Sequence, residues 1–151
     1  MDIFDVLKKE NARQLTILRK LEDTSAHQGS TREALLNQLR ISLRALFQVE
    51  EDHLYPALLL FEHNQDLVFR GKDDAREIES ILEKLLDLPP HHEQFEFLVE
   101  RLHGGLEIHI RLKERELYPV VKKAIPEDLA QTLGTMATEE LGNLRRQLAH
   151  S

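Results

Sequence analysis

Hydrophobic residues recur at helical spacing along almost the whole chain, and no alternating run of the strand type interrupts them. The pattern predicts an all-α protein. A first helix, about 3 to 22, carries Phe4, Leu7, Leu15, Leu18 and Leu21 on one stripe and ends at TSAHQGS. A second opens on a Ser30/Glu33 capping box and runs to about 54 with Leu35, Leu39, Leu43 and Leu46 inward. Pro56 is expected to kink or end it, leaving a short apolar tail, ALLLF. A third, about 66 to 87, turns Val68, Ile78, Leu82 and Leu85 inward, is weakened early by Gly71 and stops at Pro89-Pro90. A fourth, about 91 to 118, carries Phe95, Leu98, Leu102, Leu106 and Leu112 and meets Pro119. Gly104-Gly105 in its middle costs about 1 kcal/mol per glycine, which predicts a kink or a close helix contact. Pro126 opens a fifth helix ending near Leu148, with Leu129, Leu133, Met136, Leu141 and Leu144 among charged neighbours, expected to cover the bundle. Short connections favour antiparallel neighbours. The expected architecture is an up-down-up-down four-helix bundle, about 2–125, with an additional C-terminal helix, about 126–149, in a single domain over 1–151.

Within this pattern one segment occurs twice. Residues 49 to 58 read VEEDHLYPAL and residues 112 to 121 read LKERELYPVV, so the second and fourth helices end alike. The duplication indicates a repeated helical hairpin whose inner faces can hold a metal pair, and it directs attention to the inward positions before each proline.

Composition narrows the chemistry available there. With 151 residues and 41% hydrophobic content the chain can bury one real core. The absence of Cys removes disulfides, thiolate metal sites, iron–sulfur clusters and Cys nucleophiles together, so His and carboxylates must supply any ligand. A net charge of −7 without a basic block argues against nucleic acid or an anionic membrane surface as partner. MDIFDVLKKE lacks the features of a signal peptide and no stretch of about 18 apolar residues occurs, which makes a cytoplasmic location the expectation.

The chain resembles the hemerythrin-like family, or HHE cation-binding domain, over roughly 2 to 125. The resemblance rests on IFDVLKKEN in the first helix, LVFRGKDDAREIESILEKL in the third and the two LYP endings. It implies His-x-x-x-Glu on the second and fourth helices, with the His ten residues before the proline, and one His each on the first and third. In the family these six groups hold two irons that bind dioxygen or a related small molecule. Here the six positions fall on Asn11, Leu46, Glu50, Ala75, His109 and Lys113. Only Glu50 and His109 match. The helical stripes point the same way, placing Asn11 with Leu7, Leu15 and Leu18, and Ala75 with Val68, Ile78 and Leu82.

The replacements matter chemically. Leu46 and Ala75 offer no donor, and Lys113 brings a positive charge that repels iron. If Glu50 and Lys113 occupy equivalent levels, an ion pair across the core can partly replace a metal and its ligands; the competing reading turns both side chains to solvent. His109 reads as a core histidine bonded to Asn11, Glu50 or water, or as a residual ligand with Glu50. Tyr55 and Tyr118 read as helix-end packing, and the interior between Asn11, Leu46, Ala75 and His109 as mostly filled.

Other patterns carry less. Glu50-x-x-His53 and Glu100-x-x-His103 match ferritin-like spacing, but their levels relative to the prolines differ by about 20 Å at about 1.5 Å per residue. His91 and His92 fit a surface turn, and His27, His63 and His150 fit loop, helix-end and tail. A slipped register would have to recruit Glu10, Asp74, Glu79 or Glu116, against the apolar stripes. No nucleophile constellation or phosphate-binding glycine motif appears, so no enzyme is expected. The expected function is that of a non-catalytic regulatory or interaction module whose di-iron site is largely lost, with no cofactor and a protein partner. The alternative is a non-haem iron protein that binds or senses dioxygen, nitric oxide or iron through Glu50, His109 and further ligands.

Overall fold

The computed structural model describes residues 1–151 and contains helices and their connections only. Five rods form from α1 (Ile3–Glu22), α2 (Gly29–Val49) continuing into α3 (Tyr55–Glu62), α4 (Gln65–Asp87), α5 (Phe95–Leu112) continuing into α6 (Tyr118–Ala124), and α7 (Glu127–Ala149). α1 packs on α2 and α5, α4 on α5, and α7 across α1 and α2, so the four-helix bundle and its covering fifth helix are both present. No helix is long and apolar enough to cross a membrane.

The two prolines do not end their helices. Each follows a π-helical turn, Glu50–Leu54 and Lys113–Leu117, closed by hydrogen bonds from Tyr55 N to Glu50 O and from Tyr118 N to Lys113 O. A proline in a helix lacks the amide donor and crowds the carbonyl four residues back. Widening the turn just before it relieves that crowding, and the apolar ALLLF segment continues as helix α3.

Several local expectations change for identifiable reasons. Ser30 is not a cap, because α2 begins at Gly29 and its preceding Gln28 makes no side-chain cap bond. The entry is held instead by buried Arg32, which donates to Thr24 Oγ1 (2.9 Å), Pro90 O (2.7 Å) and Glu96 Oε1 (3.1 Å) and lies 4.5 Å from the Phe95 ring centre. One guanidinium thus joins the α1–α2 and α4–α5 connections. α5 starts at Phe95 rather than 91, since turn bonds from His92 N to Pro89 O and from Phe95 N to His92 O occupy the residues between. Gly104-Gly105 marks neither interruption nor close contact: α5 runs through it, and a Cβ at either position would meet nothing within 4 Å.

Glycine is needed elsewhere. A Cβ at Gly71 would lie 3.1 Å from Tyr55 Cζ, so the residue that lowers α4 propensity also lets the Tyr55 ring pack beneath it. At Gly134 a Cβ would come within 2.7 Å of the Asp2 carbonyl carbon and 2.9 Å of Ile3 N. α7 therefore buries its small face, Ala130, Gly134, Ala137 and Leu141, against the chain start, while Met136 points outward, 46% exposed.

These contacts make opposite predictions for two glycines. Gly134→Ala should destabilise the fold by about 2 kcal/mol, because backbone must move to admit the methyl group. Gly104→Ala should stabilise it by about 1 kcal/mol through helix propensity alone. Urea unfolding midpoints of the two variants, read beside the parent, check both signs.

Candidate functional site

The core divides into two apolar clusters along the bundle axis. One joins Phe4, Leu7, Leu46, Leu58 and Val121; the other joins Ile17, Leu43, Leu82, Phe95 and Leu106. On α1 the boundary falls at Glu10, Asn11 and Gln14, all buried between Leu7 and Ile17. Polar groups enclosed between apolar clusters must find partners or cost stability, so their bonding defines what this level can do.

At its centre Lys113 Nζ lies 3.1 Å from Glu50 Oε2 and 3.3 Å from Glu50 Oε1. Lys113 is fully buried and Glu50 is 1% exposed, so the two do meet across the core. The ammonium also donates to Asn11 Oδ1 at 3.2 Å. Tyr118 donates its hydroxyl hydrogen to Glu50 Oε2 at 3.1 Å, and Asn11 Nδ2 donates to the Tyr118 oxygen at 3.1 Å and to Glu114 Oε2 at 3.2 Å. Burial first, and the Glu50 carboxylate second, push the Tyr118 hydroxyl well above its ordinary pKa, so it stays a donor. Glu50 and Lys113 are the first residues of the two π turns, which is how a sequence repeat delivers opposite charges to one place.

The remaining positions separate. Leu46 is fully buried in the first apolar cluster. His109 is 1% exposed but bonds to neither Asn11 nor Glu50, and neither ring nitrogen makes a hydrogen bond. Its Nδ1 lies 3.5 Å from Asp74 Oδ2, and its ring meets Phe47 edge-on at 5.9 Å between centres. Burial first, with Lys113 adding to it, lowers the His109 pKa to about 2, so the ring is neutral and its contact with Asp74 is no ion pair. Ala75 is half-buried and lies on the floor of a cleft of about 610 Å³ between α2 and α4. The interior expected to be filled is filled at Leu46 and open at Ala75.

Tyr118 is the functional residue that sequence reasoning missed. Treating it as the twin of Tyr55 hid the difference, because Tyr55 packs under Gly71 whereas Tyr118 joins the ion-pair network. Its place five residues after Lys113, at the closing bond of a π turn, was the available signal. The other donors are engaged elsewhere: His53 with Glu140 at 2.6 Å, His103 with Glu22 and with Glu107 at 3.0 Å, Glu10 with Ser42 and Arg145, Glu79 with Arg44 at 3.6 Å and Glu116 with Arg70 at 3.3 Å. Neither Glu-x-x-His pair assembles into a site.

Comparisons with known proteins agree with this architecture. The model of the Hemerythrin HHE cation binding domain matches residues 2–122. The crystal structure of an HHE cation binding domain-containing protein, an Rv2633c homolog from Mycobacterium kansasii, is similar at TM-score 0.86 and 24% identity. That likeness covers 97% of this chain and 89% of the other. No curated protein matches the chain. The side chains at the six inward levels do not fit a metal pair: Leu46 and Ala75 carry no donor, and the Lys113 ammonium occupies the carboxylate's surroundings.

Two predictions follow from this bonding. Lys113→Met and Glu50→Gln should each destabilise by about 3 kcal/mol or more, because each strands a buried partner, and the double variant should recover part of the loss. Purely additive effects in guanidinium unfolding would mean the pair is not coupled. His109 has the opposite pH logic to a salt-bridged histidine. The unfolded chain takes up its proton near pH 6.5 and the folded chain only near about 2, so its stabilising contribution is complete above that range and fades as pH falls through it. Below pH 6 the parent should lose stability faster than His109→Leu, by up to about 1.4 kcal/mol per pH unit. Parallel pH slopes for the two proteins would refute it.

Proposed function

Because the chain belongs to the hemerythrin HHE cation-binding domain family, we propose that it is a member in which an internal ion pair stands in for the metal centre. The bundle serves as a non-catalytic module of regulation or interaction. The observation that carries this reading is the 3.1 Å contact of Lys113 Nζ with Glu50 Oε2. A fixed positive charge at that distance neutralises the carboxylate a metal would need and repels a metal cation in a medium of low effective dielectric. Asn11 and Tyr118 complete the hydrogen bonding of the pair, which favours a settled arrangement over a site awaiting a ligand.

One observation favours a second reading, in which Glu50 and His109 retain a metal for dioxygen, nitric oxide or iron chemistry. Both His109 ring nitrogens are buried without partners, as an imidazole kept for a ligand would be. Asp74, on the neighbouring helix, brings a carboxylate oxygen to 3.5 Å from His109 Nδ1.

Elemental mass spectrometry of protein produced with iron supplied and purified without chelator separates the two. Metal well below one atom per chain is expected. Near two irons per chain would overturn the ion-pair reading, and close to one would support retention at His109.

A further inference from the structure

We infer that the outer face of α5 is an interface on which a second copy of this chain docks in the antiparallel direction. Phe97, Glu100, Gly104, Ile108 and Arg111 fall within an arc of about 80° at about 3.6 residues per turn. All five are exposed, and Phe97 at 62% and Ile108 at 67% are among the most exposed large apolar side chains in the molecule. Gly104 sits between them. A Cβ there would meet nothing within 4 Å, so the fold makes no use of the missing side chain, although glycine weakens the helix that carries it. Its use lies outside the chain, where bare backbone admits an apolar side chain from a second helix.

Exposed apolar residues are ordinary on a surface, and it is the charges that name the occupant. Glu100 and Arg111 make no ion pair within the chain. They lie eleven residues apart, about 16 Å along α5 at about 1.5 Å per residue, too far to satisfy each other. On a helix packed antiparallel, with the two-fold axis beside residues 105 and 106, Glu100 of one copy faces Arg111 of the other, and the contact repeats across the axis. The same register seats Ile108 over Gly104 of the second copy. A parallel pair would instead set Glu100 against Glu100 and Arg111 against Arg111, which repel. Arg101 and Glu107 stand at the two edges of the face, and Glu107 is held by His103 at 3.0 Å. The central charges are therefore those that complement a second copy.

This face points away from Glu50 and Lys113, so metal content and self-association can fail separately. The experiment is sedimentation equilibrium of the full chain from micromolar to millimolar concentration. A dimer with a micromolar dissociation constant is expected, as suits a small interface. Glu100→Arg and Arg111→Glu should each weaken it at least about tenfold, since each sets like charges together twice. An equal mixture of these two variants should recover a heterodimer within about threefold of the parent, because opposite charges then meet at both contacts. Gly104→Gln should weaken the dimer at least about tenfold with a melting temperature no lower than the parent's, as its side chain has open space within the chain. A monomer throughout the concentration range, a dimer indifferent to Gly104→Gln and to both charge reversals, or a mixture that associates no better than its components would each overturn the proposal.

Discussion

The ion pair of Lys113 and Glu50 is the constraint around which the rest of this bundle is arranged. Both charges lie in the seam between two apolar clusters, where an unpaired ammonium or carboxylate would cost several kcal/mol. Each therefore requires the other, and the pair requires Asn11 and Tyr118 to complete its hydrogen bonds. The four residues come from α1, from the two π turns and from the start of α6, so the pair ties together rods that are distant in sequence. An apolar replacement of both partners at similar volume can be equally stable, whereas removing one partner alone strands a buried charge.

The π turns explain how the pair is placed. A proline six residues beyond each charged residue distorts the helix just before it, and the widened turn begins at Glu50 on one rod and Lys113 on the other. The repeat thus conserves a backbone device while the side chains it presents have opposite sign. In a family described by cation binding, this chain holds an internal ammonium 3.1 Å from the Glu50 carboxylate.

Leu46 and Ala75 have unequal consequences for packing. Leu46 fills its position completely, whereas Ala75 leaves α2 and α4 apart over the cleft. Between the two lies Phe47, which touches the His109 ring on one side and lines the cleft on the other, with the Lys113 ammonium 5.8 Å from its ring centre. The buried polar level and the open cleft are therefore neighbours, with Glu50 and Phe47 both in the cleft lining. α7 contributes to both features of the surface: its small-residue face sets how closely it approaches α1, and its last leucines wall the cleft.

Helical periodicity and the repeated LYP endings were enough to determine five rods and their order, because a 3.6-residue apolar stripe has one way to face a core, whereas the six candidate positions came from the family resemblance. They offered Glu50 and Lys113 either as an ion pair across the core or as two side chains turned to solvent, and the structure decided for the pair. Only the tertiary structure decided the rest. Whether Pro56 ends a helix or widens it depends on the apolar ALLLF segment finding a partner in α6, and the start of α2 depends on Arg32 reaching Pro90 and Glu96. The role of Tyr118, the solitude of His109 and the opening at Ala75 are properties of distances between helices. No spacing within a single helix encodes those distances; they are set by how residues on opposing rods meet, here Leu46 and Phe47 filling space and Gly71 leaving room for the Tyr55 ring.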